Sequence, residues 1–301
     1  MKAVIVVFSQ TGNTLKLAER IQEGIAAEWS ECELVALEKA DGMDFASYDL
    51  VGLGCPSFYC KEPFNVTDFI EALPRLDGKN WFVFASHGCE MGPVLVSMAE
   101  KLAEKGVTVI GSTHVYGDAF LPFYPHPTYT TGHPLEKDLD QACEFGKTMA
   151  KNSVAIASGQ KELIDPPTLE HIPDWAQKDR VNLSREIMPK IMPKFTINQD
   201  ECIQCGLCED QCPVDGIDIS ADPPKIQEPC IYCFMCAKSC PECAIEADWS
   251  GLVKMAPGNY ARYLVSLKAA EARGDFQFMV DPDSINFDDP MHVQQARKKN
   301  S

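Results

Sequence analysis

The chain has 301 residues, 45% of them hydrophobic, and carries 44 acidic against 27 basic side chains for a formal charge of -17. That length suits roughly two domains, each with a buried core. The charge excludes a nucleic-acid binder, whose affinity rests on Lys and Arg neutralising phosphates, and no run of 18 apolar residues is present to span a membrane.

Ala3–Phe8 is a continuous apolar run bounded by polar turn residues, the pattern of a strand buried on both faces. The apolar stretch is too short for a signal h-region, and Ser9-Gln10-Thr11-Gly12 ends it. Residues 13–28 place Leu15, Leu17, Ala18, Ile21, Ile25 and Ala26 near helical period. Strands are then expected at 32–37, 49–54, 81–85 and 107–116, and helices near 66–73, 94–104 and 135–157. Strands alternating with helices imply a parallel sheet covered on both faces. Residues 1–157 therefore form a first domain. Residues 158–194 read as a linker, broken by Pro166, Pro167, Pro173, Pro189 and Pro193. The linker's Leu163, Ile164 and Trp175 suit contact with a domain better than a solvated tether. Residues 195–250 form a cysteine-rich domain and 251–301 a tail. In the tail a helix is expected over 260–272, and residues 275–290 carry five aspartates, no basic residue and the apolar anchors Phe276, Phe278 and Phe287. The tail either wraps a surface or is partly disordered.

The cysteine-rich domain is an internal repeat. Cys202, Cys205, Cys208 and Cys212 recur as Cys230, Cys233, Cys236 and Cys240, each run reading C-x2-C-x2-C-x3-C-P. This spacing holds iron–sulfur clusters. Zinc has no use for the proline after the last cysteine, and disulfides suit the pattern less well. The domain resembles the bacterial two-cluster ferredoxins over about 55 residues. The resemblance implies a small α+β fold and two [4Fe-4S] clusters with crossed ligation. One set is Cys202, Cys205, Cys208 and Cys240; the other is Cys230, Cys233, Cys236 and Cys212. Cys243 is an extra thiol, either a stand-in for Cys240 or a small buried apolar side chain.

The turn after the first strand reads Ser9-Gln10-Thr11-Gly12-Asn13-Thr14. Hydroxyls, a glycine and a helix N-terminus meet there, which makes an anion site. It lacks the lysine of a P-loop and is not G-x-G-x-x-G. It resembles the phosphate loop of flavodoxins, and the similarity extends over about residues 1–150. That resemblance implies a five-stranded parallel sheet in the order 2-1-3-4-5 with FMN at the carboxyl ends of the strands. It also implies two loops about the flavin ring, Pro56-Ser57-Phe58-Tyr59 and Ser86-His87-Gly88-Cys89, with Phe58 or Tyr59 stacked on it. His87 either hydrogen-bonds the flavin or caps the next helix. Cys55, Cys60 and Cys89 lie on or near these loops without a C-x-x-C pair. His114, His126, His133 and the prolines of residues 120–134 mark a long loop after the fifth strand, which covers the flavin, shapes a docking face or is a packed surface loop.

Taken whole, the chain resembles fused flavodoxin–ferredoxin proteins of anaerobes. The resemblance implies a cytoplasmic electron carrier in which external carriers, two clusters and FMN exchange electrons and a partner oxidoreductase receives them. The partners are redox proteins of an anaerobic system, and a homodimer or larger complex stays open. No residue stands out as catalytic. Two alternatives remain: an FMN-dependent reductase of a quinone or oxygen, and a flavin-free docking subunit.

Overall fold

A computed structural model describes residues 1–299. Its contacts divide the chain into two units. The first is Met1–Asp118 with Gly132–Val181; the second is Ala119–Thr131 with the chain from Asn182 onward.

The first unit runs β1 (Lys2–Val7), α1 (Asn13–Glu28), β2 (Glu31–Ala36), β3 (Leu50–Pro56), α2 (Phe64–Ala72), β4 (Asn80–His87), α3 (Val94–Glu104), β5 (Thr108–Tyr116) and α4 (Glu136–Ala157). The strands form one parallel sheet in the order β2-β1-β3-β4-β5, as the resemblance to flavodoxins implied. Ala3, Val4, Ile5 and Val6 of β1 are fully buried, because helices cover both faces of the sheet's centre. Leu17, Ala18, Ile21 and Ile25 of α1 are equally buried and share a core with Phe82 and Phe84 of β4. Each such aliphatic side chain contributes roughly 1.5–3 kcal/mol. Strand order reverses at β1, so the loops after β1 and β3 open a crevice at the carboxyl ends of the strands.

Beyond α4 the chain stays with this unit. Leu163 and Ile164 pack on its core, the Asp165 amide donates to the Ile110 carbonyl at 3.3 Å, and Arg180 pairs with Glu100. Arg180 lies in α5 (Asp174–Asn182), which the prolines before it leave room to form.

The second unit holds α6 (Met188–Ile191), β6 (Thr196–Ile197), α7 (Leu207–Asp210), β7 (Ile217–Asp218), β8 (Lys225–Ile226), α8 (Met235–Ser239), β9 (Ile245–Glu246), α9 (Ser250–Arg273) and α10 (Met291–Lys299). Two small antiparallel ladders pair β6 with β9 and β7 with β8. Helix α9 begins at Ser250 rather than Tyr260. Pro257 and Gly258 disfavour helix locally, yet burial of Ala256 and Tyr260 carries the helix across them.

Residues 119–131 leave β5 and join this second unit. Tyr124 and Tyr129 pack on Tyr260 of α9, with ring centroids 5.1 and 4.7 Å apart. The tail grips the same loop. The Met291 amide donates to the Tyr124 carbonyl at 2.8 Å, the His292 amide donates to the Pro122 carbonyl at 2.9 Å, and Phe278 meets Tyr129 edge-on. Of the roles open for this loop, covering a flavin, shaping a docking face or packing as a surface loop, these contacts describe the packed one. Over its described residues the tail wraps this surface, with Phe276 and Met291 buried.

Candidate cofactor sites

Gly12, with φ 90°, turns the chain from β1 into α1. Among the described residues no acceptor faces the backbone amides of Gln10, Thr11, Gly12, Asn13 and Thr14. The Leu15 amide is met by Ser9 Oγ at 3.2 Å. The Gln10 side-chain nitrogen is buried without a partner. Orphan donors at the positive end of a helix of 16 residues fit an anionic group such as the phosphate of FMN.

Thr14 is buried and its hydroxyl lies 2.6 Å from that of Ser86. This bond ties the turn after β1 to the end of β4. The two ring loops are joined to each other as well. Ser57 Oγ donates to the Met91 carbonyl at 2.6 Å, and the Ser57 amide donates to the Ser86 carbonyl at 2.8 Å. Phe58 and Lys61 close a tight hairpin by two backbone bonds of 2.8 and 3.1 Å. Its central residues Tyr59 and Cys60 both have positive φ, 55° and 63°, a strained conformation for side chains with a Cβ. Gly92 lets the second loop touch this hairpin: a Cβ there would lie 2.4 Å from the Cβ of Cys60. Phe58 meets Phe8 and Tyr59 edge-on, so aromatic faces stand at the loop predicted to stack on a flavin.

His87 caps no helix, since α3 begins at Val94 without a side-chain cap. Its Nδ1 lies 2.9 Å from the Gly88 carbonyl oxygen and its Nε2 lies 2.9 Å from Nδ1 of His114. The carbonyl can only accept, so His87 Nδ1 carries the proton. In the neutral ring Nε2 then accepts from His114. Burial, then the neighbouring His114, hold His87 well below the usual histidine range. No local pattern marks this pairing: His114 sits on the neighbouring strand, and the parallel register of β4 and β5 brings the rings together. Burial pushes the thiols of Cys55 and Cys89 up, with Glu62 and Glu90 adding to it. Neither is a ready thiolate.

In the second unit the eight predicted cysteines gather into two groups of four. One cavity is lined by Cys202, Cys205, Cys208 and Cys240. The other is lined by Cys212, Cys230, Cys233 and Cys236. Each takes three thiols from one run and the fourth from the other. Three thiols already receive backbone amides: Cys212 from Gly216 at 3.1 Å, Cys230 from Tyr232 at 3.4 Å and Cys240 from Ala244 at 3.2 Å. Such donors favour a charged sulfur. Burial pushes Cys230 up to about 12 and raises Cys236 and Cys208, so the thiolate form there would need a bound cation beside it. Among the described residues no three metal-binding side chains converge on a single ion. A four-thiol cage about an apolar space fits a cluster. Cys243 lines a separate cavity with Trp249 and His292.

Residues 4–124 match the flavodoxin domain family, and residues 195–218 match the 4Fe-4S binding domain family. A flavodoxin of Megasphaera elsdenii is 33% identical over 118 residues, which cover 37% of this chain and 83% of that protein. A flavodoxin of Aquifex aeolicus is 26% identical over 174 residues, 54% of this chain and 93% of its own. The solution structure of the two-electron reduced Megasphaera elsdenii flavodoxin is 28% identical, with a TM-score of 0.39 over 50% of this chain and 98% of that one. No helix among the described residues is long and apolar enough to cross a membrane. A flavin-binding domain joined to an iron–sulfur domain carries electron transfer as its function. The chain belongs to the flavodoxin family, its flavodoxin domain being followed in the same polypeptide by a 4Fe-4S ferredoxin domain.

Proposed function

We propose that this protein relays electrons between an external carrier, two [4Fe-4S] clusters and FMN, and delivers them to a partner oxidoreductase. The observation that carries the reading is the sorting of eight cysteines into two four-thiol cavities. Bound clusters supply one-electron steps, and bound flavin supplies one- or two-electron chemistry. The chain's own residues do the rest. Cys202, Cys205, Cys208 and Cys240 hold one cluster; Cys230, Cys233, Cys236 and Cys212 hold the other. Crossing the fourth ligand staples the two halves of the cysteine repeat to each other.

Ser9 through Thr14 hold the FMN phosphate, chiefly by the open backbone amides of residues 10–14. Pro56, Ser57, Phe58 and Tyr59 on one side, with Ser86, His87, Gly88 and Cys89 on the other, enclose the ring. The bonds from Ser57 to Ser86 and Met91 set the spacing of these loops before flavin arrives, which lowers the ordering cost of binding. The domain limits we assign are 1–157 for flavin, 158–194 for the linker, 195–250 for the clusters and 251–301 for the tail. Partners are redox proteins of an anaerobic system, and a reducing cytoplasm would keep the other thiols free.

The test is anaerobic purification with iron, sulfide and FMN quantitation. About eight iron atoms and about one FMN per chain are expected. Full iron without FMN after reconstitution would replace this reading with that of a flavin-free docking subunit.

A further inference from the structure

The two halves of the cluster unit share a backbone and differ in what covers them. Gln204 and Tyr232 have φ of 52° and 54°, Asp215 and Cys243 both have 52°, and Gly206 and Phe234 have 80° and 60°. At equivalent positions Ile203 is 63% exposed and Ile231 is 4% exposed. Gln204 is exposed where Tyr232 is buried. A Cβ added at Gly206 would meet a single atom within 4 Å, Ile219 Cδ1 at 3.5 Å. At the matching position Phe234 accepts a left-handed backbone, unfavourable for a residue with a Cβ, and packs its ring on Phe123, Phe195 and Trp249 with centroids 5.6 to 5.9 Å away. Cys205 is the exposed thiol among the eight ligands.

From this asymmetry we infer that the site of Cys202, Cys205, Cys208 and Cys240 is the port for electron exchange with an external carrier protein, while the site of Cys212, Cys230, Cys233 and Cys236 is closed to direct docking. The inference rests on the two-cluster reading above. Exchange between proteins needs the edges of two redox centres within tunnelling reach, and the uncovered loop from Ile203 to Gly206 offers that approach. Exposed Asp200, Glu201 and Asp210 flank it in sequence, within a chain of charge -17. The occupant that fits is a one-electron carrier protein with an apolar contact centre and a Lys- or Arg-rich rim. A second copy of this chain would bring the same negative charge and be repelled. One electron crosses in the exchange, and no bond or proton moves.

The test uses the full chain, loaded and reduced anaerobically, with an oxidised basic c-type cytochrome as probe. Ile203→Lys is compared with Val265→Lys, which adds the same charge at a residue 71% exposed on α9. Stopped-flow reduction of the cytochrome should slow by roughly fivefold or more for the first and by less than about twofold for the second, and the gap should narrow with added salt. Equal slowing, or none, would overturn the port. As a second readout, a soluble dysprosium chelate should broaden one cluster's EPR signal more than the other's, the broadened one being the signal lost in Cys205→Ser. Equal broadening would also overturn it. Iron content well below about eight atoms per chain would instead remove the two-cluster reading on which the port rests.

Discussion

The hydroxyls of Thr14 and Ser86 lie 2.6 Å apart in the buried interior, one at the start of α1 and the other at the end of β4. The bond fastens the turn after β1 to the end of β4 across the sheet. Thr14→Val keeps the shape of the side chain and strands the Ser86 hydroxyl, so it should cost about 1–3 kcal/mol of stability. Adding Ser86→Ala should recover part of that loss, because both partners are then gone. Urea denaturation of the flavin-free chain, followed by tryptophan fluorescence, measures the cycle. Purely additive losses would show that the two hydroxyls are not coupled.

His87 makes the first unit sensitive to acid. Its folded-state pKa is depressed by burial and by His114, so the unfolded chain binds the proton that the folded chain refuses. The stabilising contribution is complete above about pH 6.5 and falls as pH drops below that value, by up to about 1.4 kcal/mol per pH unit. Burial alone would raise Asp138, but His133 and the Leu135 amide together outweigh it and hold the carboxyl below its ordinary value, so it acts in a lower window, below 3.8. His87→Gln should therefore flatten the melting temperature between pH 7.5 and 5.5 relative to the parent. An unchanged slope would place the sensitivity elsewhere.

Crossed ligation makes a distinct prediction for cysteine variants. Cys240→Ala should damage the cluster built mainly from the first run, and Cys212→Ala the one built mainly from the second. Cys243→Ala should leave iron and sulfide at the parent level, since Cys243 faces the cavity of Trp249 and His292 rather than either four-thiol cavity. Iron quantitation with EPR of the reduced chain separates the three variants. Loss of iron in Cys243→Ala would show that the fourth ligand can exchange.

Gly92 lies beside the strained turn at Tyr59 and Cys60. A methyl group there would lie 2.4 Å from the Cys60 Cβ, on a backbone with φ 62°. Gly92→Ala should push the two ring loops apart and weaken FMN binding by about tenfold or more, leaving iron content unchanged. Quenching of flavin fluorescence during titration gives the affinity. Unaltered binding would mean that these loops do not enclose the ring.

The strands and the two cysteine runs were legible because both rest on local chemistry, whereas the strand order and the crossed grouping of thiols followed only from the resemblance to flavodoxins and two-cluster ferredoxins. A buried parallel strand needs an unbroken apolar run, as in Ala3–Phe8, and cluster ligation needs fixed thiol spacing. Contacts between distant segments left no comparable mark. The His87 pairing with His114 depends on the register of β4 against β5. Gly92 depends on two loops meeting in space. The start of α9 was hidden because Pro257 speaks for a break, and burial of Ala256 and Tyr260 overrides that local preference. The loop after β5 showed its prolines and aromatic residues, but no periodicity says which unit a loop will join.

That loop yields the last prediction. Phe123 is 6% exposed, and its ring meets Phe234 and Trp249 at 5.6 and 6.0 Å. Although it lies in sequence between β5 and α4 of the flavodoxin sheet, it supports the wall of the second four-thiol cavity through Phe234. Phe123→Ala should cost about 3–5 kcal/mol, and the loss should fall on the second unit. Heating followed by visible absorbance of the clusters should show earlier bleaching, while bound flavin is released at the parent temperature. A leucine in its place restores most of the buried apolar area and should recover much of the loss. If flavin release shifted as far as cluster bleaching, the two units would melt as one, and the loop could not be credited to the cluster unit alone.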